Sequence, residues 1–294
     1  MAGDAISQAE VTANGVRFAY LEQGSGPLAL CLHGFPDSAW SFASLMGALA
    51  GAGYHAVAPF MRGYAPTEIP YDERYQTAVL GFDVTTLIEA LGARQAVVIG
   101  HDWGAMAAYA AAVIAPELIT HLVTASVPYG PAFGMRLVTD PAQQRRSWYM
   151  YLLISPLGEP ALTWNDFALV DRLWADWSPG FDPGAEYMER LKQTFRQPGV
   201  AQAAASYYKH VFVPTLQDVA LVDLQARIGT APIAMPSLYL QGAQDGCIGA
   251  DIGPERSLFS AGLEVVVVPG TGHFLHLEKP EIVNARILKF LLGT

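Results

Sequence analysis

Between residues 96 and 115 an apolar run, Ala96-Val97-Val98-Ile99, passes through Gly100-His101-Asp102-Trp103-Gly104 straight into an alanine-rich stretch. Such a segment reads as a buried strand that turns sharply into a helix. A turn that tight crowds the positions two residues either side of its apex, which suits the glycines there and pushes the apex side chain, Asp102, into the open above the sheet. The alternative is that Asp102 only caps the helix that follows, a common role for aspartate.

The surrounding pattern fits a sheet built for such a turn. Strand-like runs at 8–13, 16–23 and 28–32 come first, with Asn14-Gly15 suited to a hairpin between the first two. Strand-like and helix-like stretches then alternate: helix 38–51, strand 55–60, helix 77–91, strand 96–101, helix 103–115, strand 121–127. After a long gap come strand 236–240, helix 251–261, strand 263–268 and helix 280–292. Alternation of this kind predicts an α/β fold with a mostly parallel eight-stranded sheet flanked by helices. The gap, 130–227, lacks β-rich runs and holds four of the six tryptophans. It reads as a helical cap inserted into a core domain made of 1–129 and 228–294.

Composition removes several classes of function. With 17 basic and 27 acidic residues the net charge is −10, which repels nucleic acid. Hydrophobic residues make up 52% and charged residues 15%, the balance of a compact chain rather than a disordered one. Two cysteines, Cys31 and Cys247, exclude a disulfide framework. The N-terminal residues resemble no signal peptide and no uninterrupted run of 18 apolar residues occurs, so a soluble, cytoplasmic protein without a membrane partner is expected.

Three further segments sit where strands of a parallel sheet end, the edge at which open α/β sheets bind ligands. His33-Gly34-Phe35-Pro36 follows the third strand and is either an ordinary turn or a source of a backbone N–H for an oxyanion. Asp245 follows the seventh strand in Gly242-Ala243-Gln244-Asp245, and His273 follows the eighth in Gly270-Thr271-Gly272-His273-Phe274. Asp102, Asp245 and His273 run in the order nucleophile, acid, histidine.

Together HGFPDSAW (33–40), GHDWGA (100–105), GAQD (242–245) and GTGHF (270–274) resemble the α/β-hydrolase family over nearly the whole chain, and within it the epoxide hydrolases. The resemblance implies the α/β-hydrolase fold, a catalytic Asp102, His273 and Asp245, and an oxyanion hole from the N–H groups of Phe35 and Trp103. It also implies two cap tyrosines. Tyr149 in Arg146-Ser147-Trp148-Tyr149-Met150-Tyr151 and Tyr208 in Ser206-Tyr207-Tyr208-Lys209 are chosen, with Tyr151 and Tyr207 as their alternates. His33, Pro36, Trp148, Tyr151, Tyr207 and Phe274 are expected to line the substrate pocket. His101, His121, His210 and His276 are read as packing or surface residues.

An aspartate nucleophile suits attack on a strained or activated saturated carbon, because the product is a stable ester. The expected substrate is a small apolar epoxide, opened to a vicinal diol without metal or organic cofactor; a homodimer is left open. A haloalkane or haloacid dehalogenase shares the aspartate ester scheme. Against it, Phe35 stands where halide-binding Asn or Trp would, and Ser126-Val127-Pro128 lacks an acid. The remaining alternative is a non-catalytic relative that binds ligands without turnover.

Overall fold

The computed structural model describes residues 5–293. Eight strands form one sheet: β1 (Ser7–Ala13), β2 (Val16–Gln23), β3 (Leu28–Leu32), β4 (His55–Pro59), β5 (Ala96–His101), β6 (Ile119–Ala125), β7 (Ser237–Gly242) and β8 (Leu263–Val268). Their spatial order is β1-β2-β4-β3-β5-β6-β7-β8. The β1–β2 and β2–β4 pairs are antiparallel and every later pair is parallel. Asn14 and Gly15 at the β1–β2 turn take φ of 45° and 73°, the positive values that a two-residue hairpin requires.

Twelve helices accompany the sheet among the described residues: α1 (Ala43–Gly51), α2 (Thr77–Ala90), α3 (Trp103–Ile114), α4 (Ala132–Thr139), α5 (Pro141–Arg146), α6 (Trp148–Ile154), α7 (Gly158–Trp177), α8 (Ala185–Phe195), α9 (Val200–Phe212), α10 (Val222–Arg227), α11 (Leu275–Glu278) and α12 (Pro280–Leu292). Helices α2 and α3 pack on each other and on the sheet, as do α1 and α12. Every residue of β3 and β5 is buried, the signature of parallel strands covered on both faces. Edge strand β1 is mostly exposed. Between β6 and β7 the chain forms helices α4 to α10, short 3-10 turns and one isolated bridge residue, Ile233, with α6, α7 and α9 packed together. None of the helices is long and apolar enough to cross a membrane.

The helix expected at 251–261 is absent. Gly253-Pro254 interrupts it, since a residue before proline is driven out of the helical region. The backbone beyond is engaged elsewhere: Ile233 donates its N–H to the Leu258 carbonyl at 2.7 Å and pairs with Phe259 as an isolated parallel bridge. Only a 3-10 turn at Arg256–Leu258 remains. The sixth strand also begins earlier than its sequence pattern suggests, at Ile119 rather than 121, and ends at Ala125.

Candidate active site

Asp102 sits between β5 and α3 with φ 53° and ψ −119°, a left-handed backbone for a non-glycine residue. The residues two positions either side of it must be glycine. A Cβ on Gly100 would lie 2.3 Å from the Gly104 carbonyl oxygen, and one on Gly104 would lie 1.9 Å from that of Leu32. The Asp102 carboxylate does not cap α3. Instead Oδ1 accepts the Phe35 N–H at 2.7 Å, and a Cβ on Gly34 would collide with that same oxygen at 2.3 Å. Trp103 is the first residue of α3, where a backbone N–H has no acceptor within the helix.

The other two members of the set arrive on loops after β7 and β8. Asp245 is fully engaged: Oδ1 accepts the N–H groups of Cys247 and Ile248 at 2.7 and 3.0 Å, and Oδ2 accepts from Gln241 Nε2 at 2.9 Å and His273 Nδ1 at 3.0 Å. On the opposite edge of the imidazole, Nε2 lies 3.6 Å from Asp102 Oδ2. The two loops can meet because Gly242 has no side chain; a Cβ there would be 1.9 Å from the Gly272 carbonyl. Burial opposes charge on His273, but carboxylates on both sides more than offset it and raise its pKa to about 10.

One carbonyl of the helical stretch joins these loops. Trp177, at the end of α7, accepts the N–H of Gly246 and the N–H of His273, each at 3.0 Å. Its ring sits against His273 and Tyr149, with centroids 5.1 and 4.7 Å apart. In the sequence Trp177 stands out only as one of the four tryptophans in 130–227. His101, read there as packing, also has a specific contact: its Nε2 donates to the His273 carbonyl at 2.9 Å.

A cavity of 270 Å³ opens over Asp102 and Trp103. Tyr149 from α6 and Tyr208 from α9 both line it, facing Asp102 from the helical side. Both phenols are buried, which pushes their pKa values well above the ordinary range. The rest of the wall is largely apolar and includes Met106, Phe133, Leu137, Met150, Val211 and Ile248. Nothing in the sequence alone distinguished these residues, whose selection depends on how the helices are rotated.

The six residues expected to line the pocket do not do so. His33 is buried below the floor, its Nε2 accepting the Met61 N–H at 2.9 Å. The Pro36 carbonyl is taken by Trp174 Nε1 at 2.9 Å, and the Phe274 ring stacks on Trp174 with centroids 3.7 Å apart. Tyr207 points away from its neighbour Tyr208 and donates to the Arg62 carbonyl at 2.7 Å. Tyr151 is 51% exposed. Trp148 lies at the surface beneath the Arg172 guanidinium, 4.7 Å from the ring centroid. Successive helical residues diverge by roughly 100°, so in α6 the inward position of Tyr149 leaves both Trp148 and Tyr151 facing elsewhere.

The site therefore joins a carboxylate held by a backbone N–H, an Asp–His pair behind it and two phenols across an apolar cavity. The chain is also similar to known proteins over most of its length. Residues 27–280 match the family model described as alpha/beta hydrolase fold. Epoxide hydrolase 4 of Mus musculus is 28% identical over 95% of this chain and 77% of its own length. Epoxide hydrolase A of Mycobacterium tuberculosis is 28% identical over 96% of each chain. The crystal structure of a Bacillus megaterium epoxide hydrolase in complex with an inhibitor superposes with a TM-score of 0.83 at 26% identity, covering 96% of this chain and 99% of the other. With its sheet order, its Asp102 turn and a match across most of its length, the chain belongs to the α/β-hydrolase fold family.

Proposed function

We propose that this hydrolase converts a small apolar epoxide to a vicinal diol through a hydroxyalkyl ester on Asp102, with residues 130–227 acting as a cap over a core of 1–129 and 228–294. The observation that carries the reading is the pairing of an aspartate at the turn apex with two buried phenols lining the same cavity. A carboxylate attacking a carbonyl would give a labile anhydride, whereas attack on a strained carbon gives an ester and needs a proton donor for the departing oxygen. Epoxide hydrolases among the similar proteins support the same choice.

In this scheme Asp102 Oδ2 forms a bond to one ring carbon, the ring C–O bond breaks, and the oxygen takes a proton from Tyr149 or Tyr208. The other phenol donates a hydrogen bond to that oxygen. His273 rests protonated because two carboxylates flank it. Ester formation removes the charge of Asp102, so the proton affinity of His273 falls just when a base is required. Its proton converts the phenolate back to the phenol, and the neutral imidazole then takes a proton from water. The water oxygen adds to the ester carbonyl, whose oxyanion rests on the N–H groups of Phe35 and Trp103. Collapse expels the diol oxygen, which takes that proton, and the second proton of the water returns to His273 as Asp102 regains its charge.

Without His273 the first step survives and the second fails. Intact-mass measurement of His273→Ala after exposure to a simple aryl epoxide is expected to show a stoichiometric adduct of the whole epoxide, absent from Asp102→Ala/His273→Ala. An alkyl adduct from a bromoalkane, with none from the epoxide, would instead establish a dehalogenase. No adduct from either reagent would overturn the ester scheme.

A further inference from the structure

Tyr149 and Tyr208 face the same cavity, yet their hydroxyls are held differently. Tyr149 Oη lies 3.4 Å from Cys247 Sγ. Tyr208 Oη is buried and meets only the Trp103 side chain, a donor, so its own proton has no acceptor among the described residues. Cys247 itself lines the cavity, in the turn that carries Asp245. Its position is fixed from both sides: its N–H donates to Asp245 Oδ1 at 2.7 Å, its carbonyl accepts from Gln143 Nε2 at 2.8 Å, and the preceding Gly246 N–H is anchored on Trp177 at 3.0 Å.

Such a thiol has two potential uses. As a nucleophile it would compete with Asp102 for the substrate, but burial pushes its pKa well above the ordinary thiol range. The nucleophilic species is the thiolate, so a sulfur kept protonated is a poor competitor. As an S–H donor it is well placed, because the phenol beside it becomes an anion during ring opening. A hydrogen bond to a charged acceptor is worth more than one to a neutral acceptor, so this contact strengthens on the way to the transition state.

We propose that Cys247 is a positioning residue for epoxide opening: its thiol aims the Tyr149 hydroxyl at the ring oxygen and donates to the phenolate that remains when Tyr149 gives up its proton. The inference rests on the ester scheme above and assigns Tyr149, the partnered phenol, as the proton donor. Tyr208, whose hydroxyl proton has no acceptor among the described residues, is then the phenol that holds the oxygen by a hydrogen bond. No bond to sulfur forms or breaks, and the thiol keeps its proton.

Three variants separate this role from packing. Cys247→Ala removes donor and volume, Cys247→Val fills the space without a donor, and Cys247→Ser restores a donor. All three retain the backbone N–H that fixes Asp245. Single-turnover rapid quench with an aryl epoxide, followed by intact mass, reads ester formation and ester decay as separate rates. The expected result is ester formation slowed about three- to tenfold in both the Ala and Val variants, with Ser near wild type and ester decay unchanged in all three. Ala and Val variants that form the ester at the wild-type rate would overturn the proposal. So would recovery by Val rather than Ser, or equal slowing of both steps, since either pattern reports packing. A His273→Ala protein that forms no ester from the epoxide would instead overturn the ester scheme itself, which distinguishes the two failures.

Discussion

The two halves of the cavity are built to different standards of constraint. On the sheet side, Asp245 uses both oxygens on four donors, and Asp102 is held by a main-chain N–H in a turn whose flanking glycines cannot change. On the helical side, Tyr149 has a single long contact to sulfur and Tyr208 meets only the edge of Trp103. Buried polar groups are ordinarily satisfied, so two under-bonded phenols across from a fully bonded Asp245 mark where a ligand is meant to complete the set. In the proposed reaction the two carboxylates are locked by the fold, and the phenols that would meet the ring oxygen are held more loosely.

Breaking the locked side should have the largest effect. Asp245→Asn keeps the shape but reverses the hydrogen-bond preference at His273 Nδ1, and turnover is expected to fall about 10³- to 10⁴-fold with ester accumulating. The same change should lower the His273 pKa from about 10, which imidazole NMR titration would read directly. The sign for stability follows. A histidine whose pKa is raised on folding contributes in full below its ordinary 6.5, and that contribution drains away as pH climbs to about 10. Thermal stability of the wild-type protein should therefore decline across that window, and Asp245→Asn should decline less. An unchanged titration would remove the two-carboxylate account of the site.

The under-bonded side should respond more modestly. Tyr208→Phe is expected to slow ester formation about 10- to 100-fold with ester decay unaffected, since only the first step uses the phenol. Tyr151→Phe, on the exposed face of α6, should leave both rates at wild type. Equal losses from the two changes would erase the distinction between Tyr208 and its surface counterpart. The smallest effect belongs to the half-buried wall. Phe133→Ala should alter kcat/KM by a few-fold, more for long than for short epoxide tails, and shift Tm by no more than about 2 °C, because little buried surface is lost. A uniform loss across substrates would mean that Phe133 does not touch the tail.

The same division explains how much of the site could be read from the chain. Gly100 stands where a methyl group would strike the Gly104 carbonyl of its own turn, so the Asp102 motif is demanded by local geometry and is legible in one segment; Gly104, Gly242 and Gly272 are kept bare by Leu32, by the Gly272 loop and by the end of α7 respectively. The cavity wall is not local. Whether Trp148, Tyr149 or Tyr151 faces inward depends on the rotation of α6, seven residues of Trp, Tyr, Met, Leu and Ile that carry no polar face to orient it. Tyr207 and Tyr208 present the same ambiguity on α9, settled by the Arg62 carbonyl that Tyr207 reaches. The missing helix at 251–261 has another cause, since Gly253-Pro254 was visible but the pairing of Ile233 with Phe259 was not.

The Trp177 carbonyl constrains how this molecule can be recombined. By accepting from both Gly246 and His273 it makes the end of α7 a structural member of two loops encoded some 70 and 96 residues further along the chain. A chimera that exchanges the helical stretch for another would have to bring in an acceptor at that point, or the acid and histidine loops lose their common tether. Shuffling crossovers placed just after Ser178 preserve it, whereas crossovers within α7 sever it from its own sequence context. Diversity in this scaffold is thus freer toward α4, which has no buried residue, than at the end of α7.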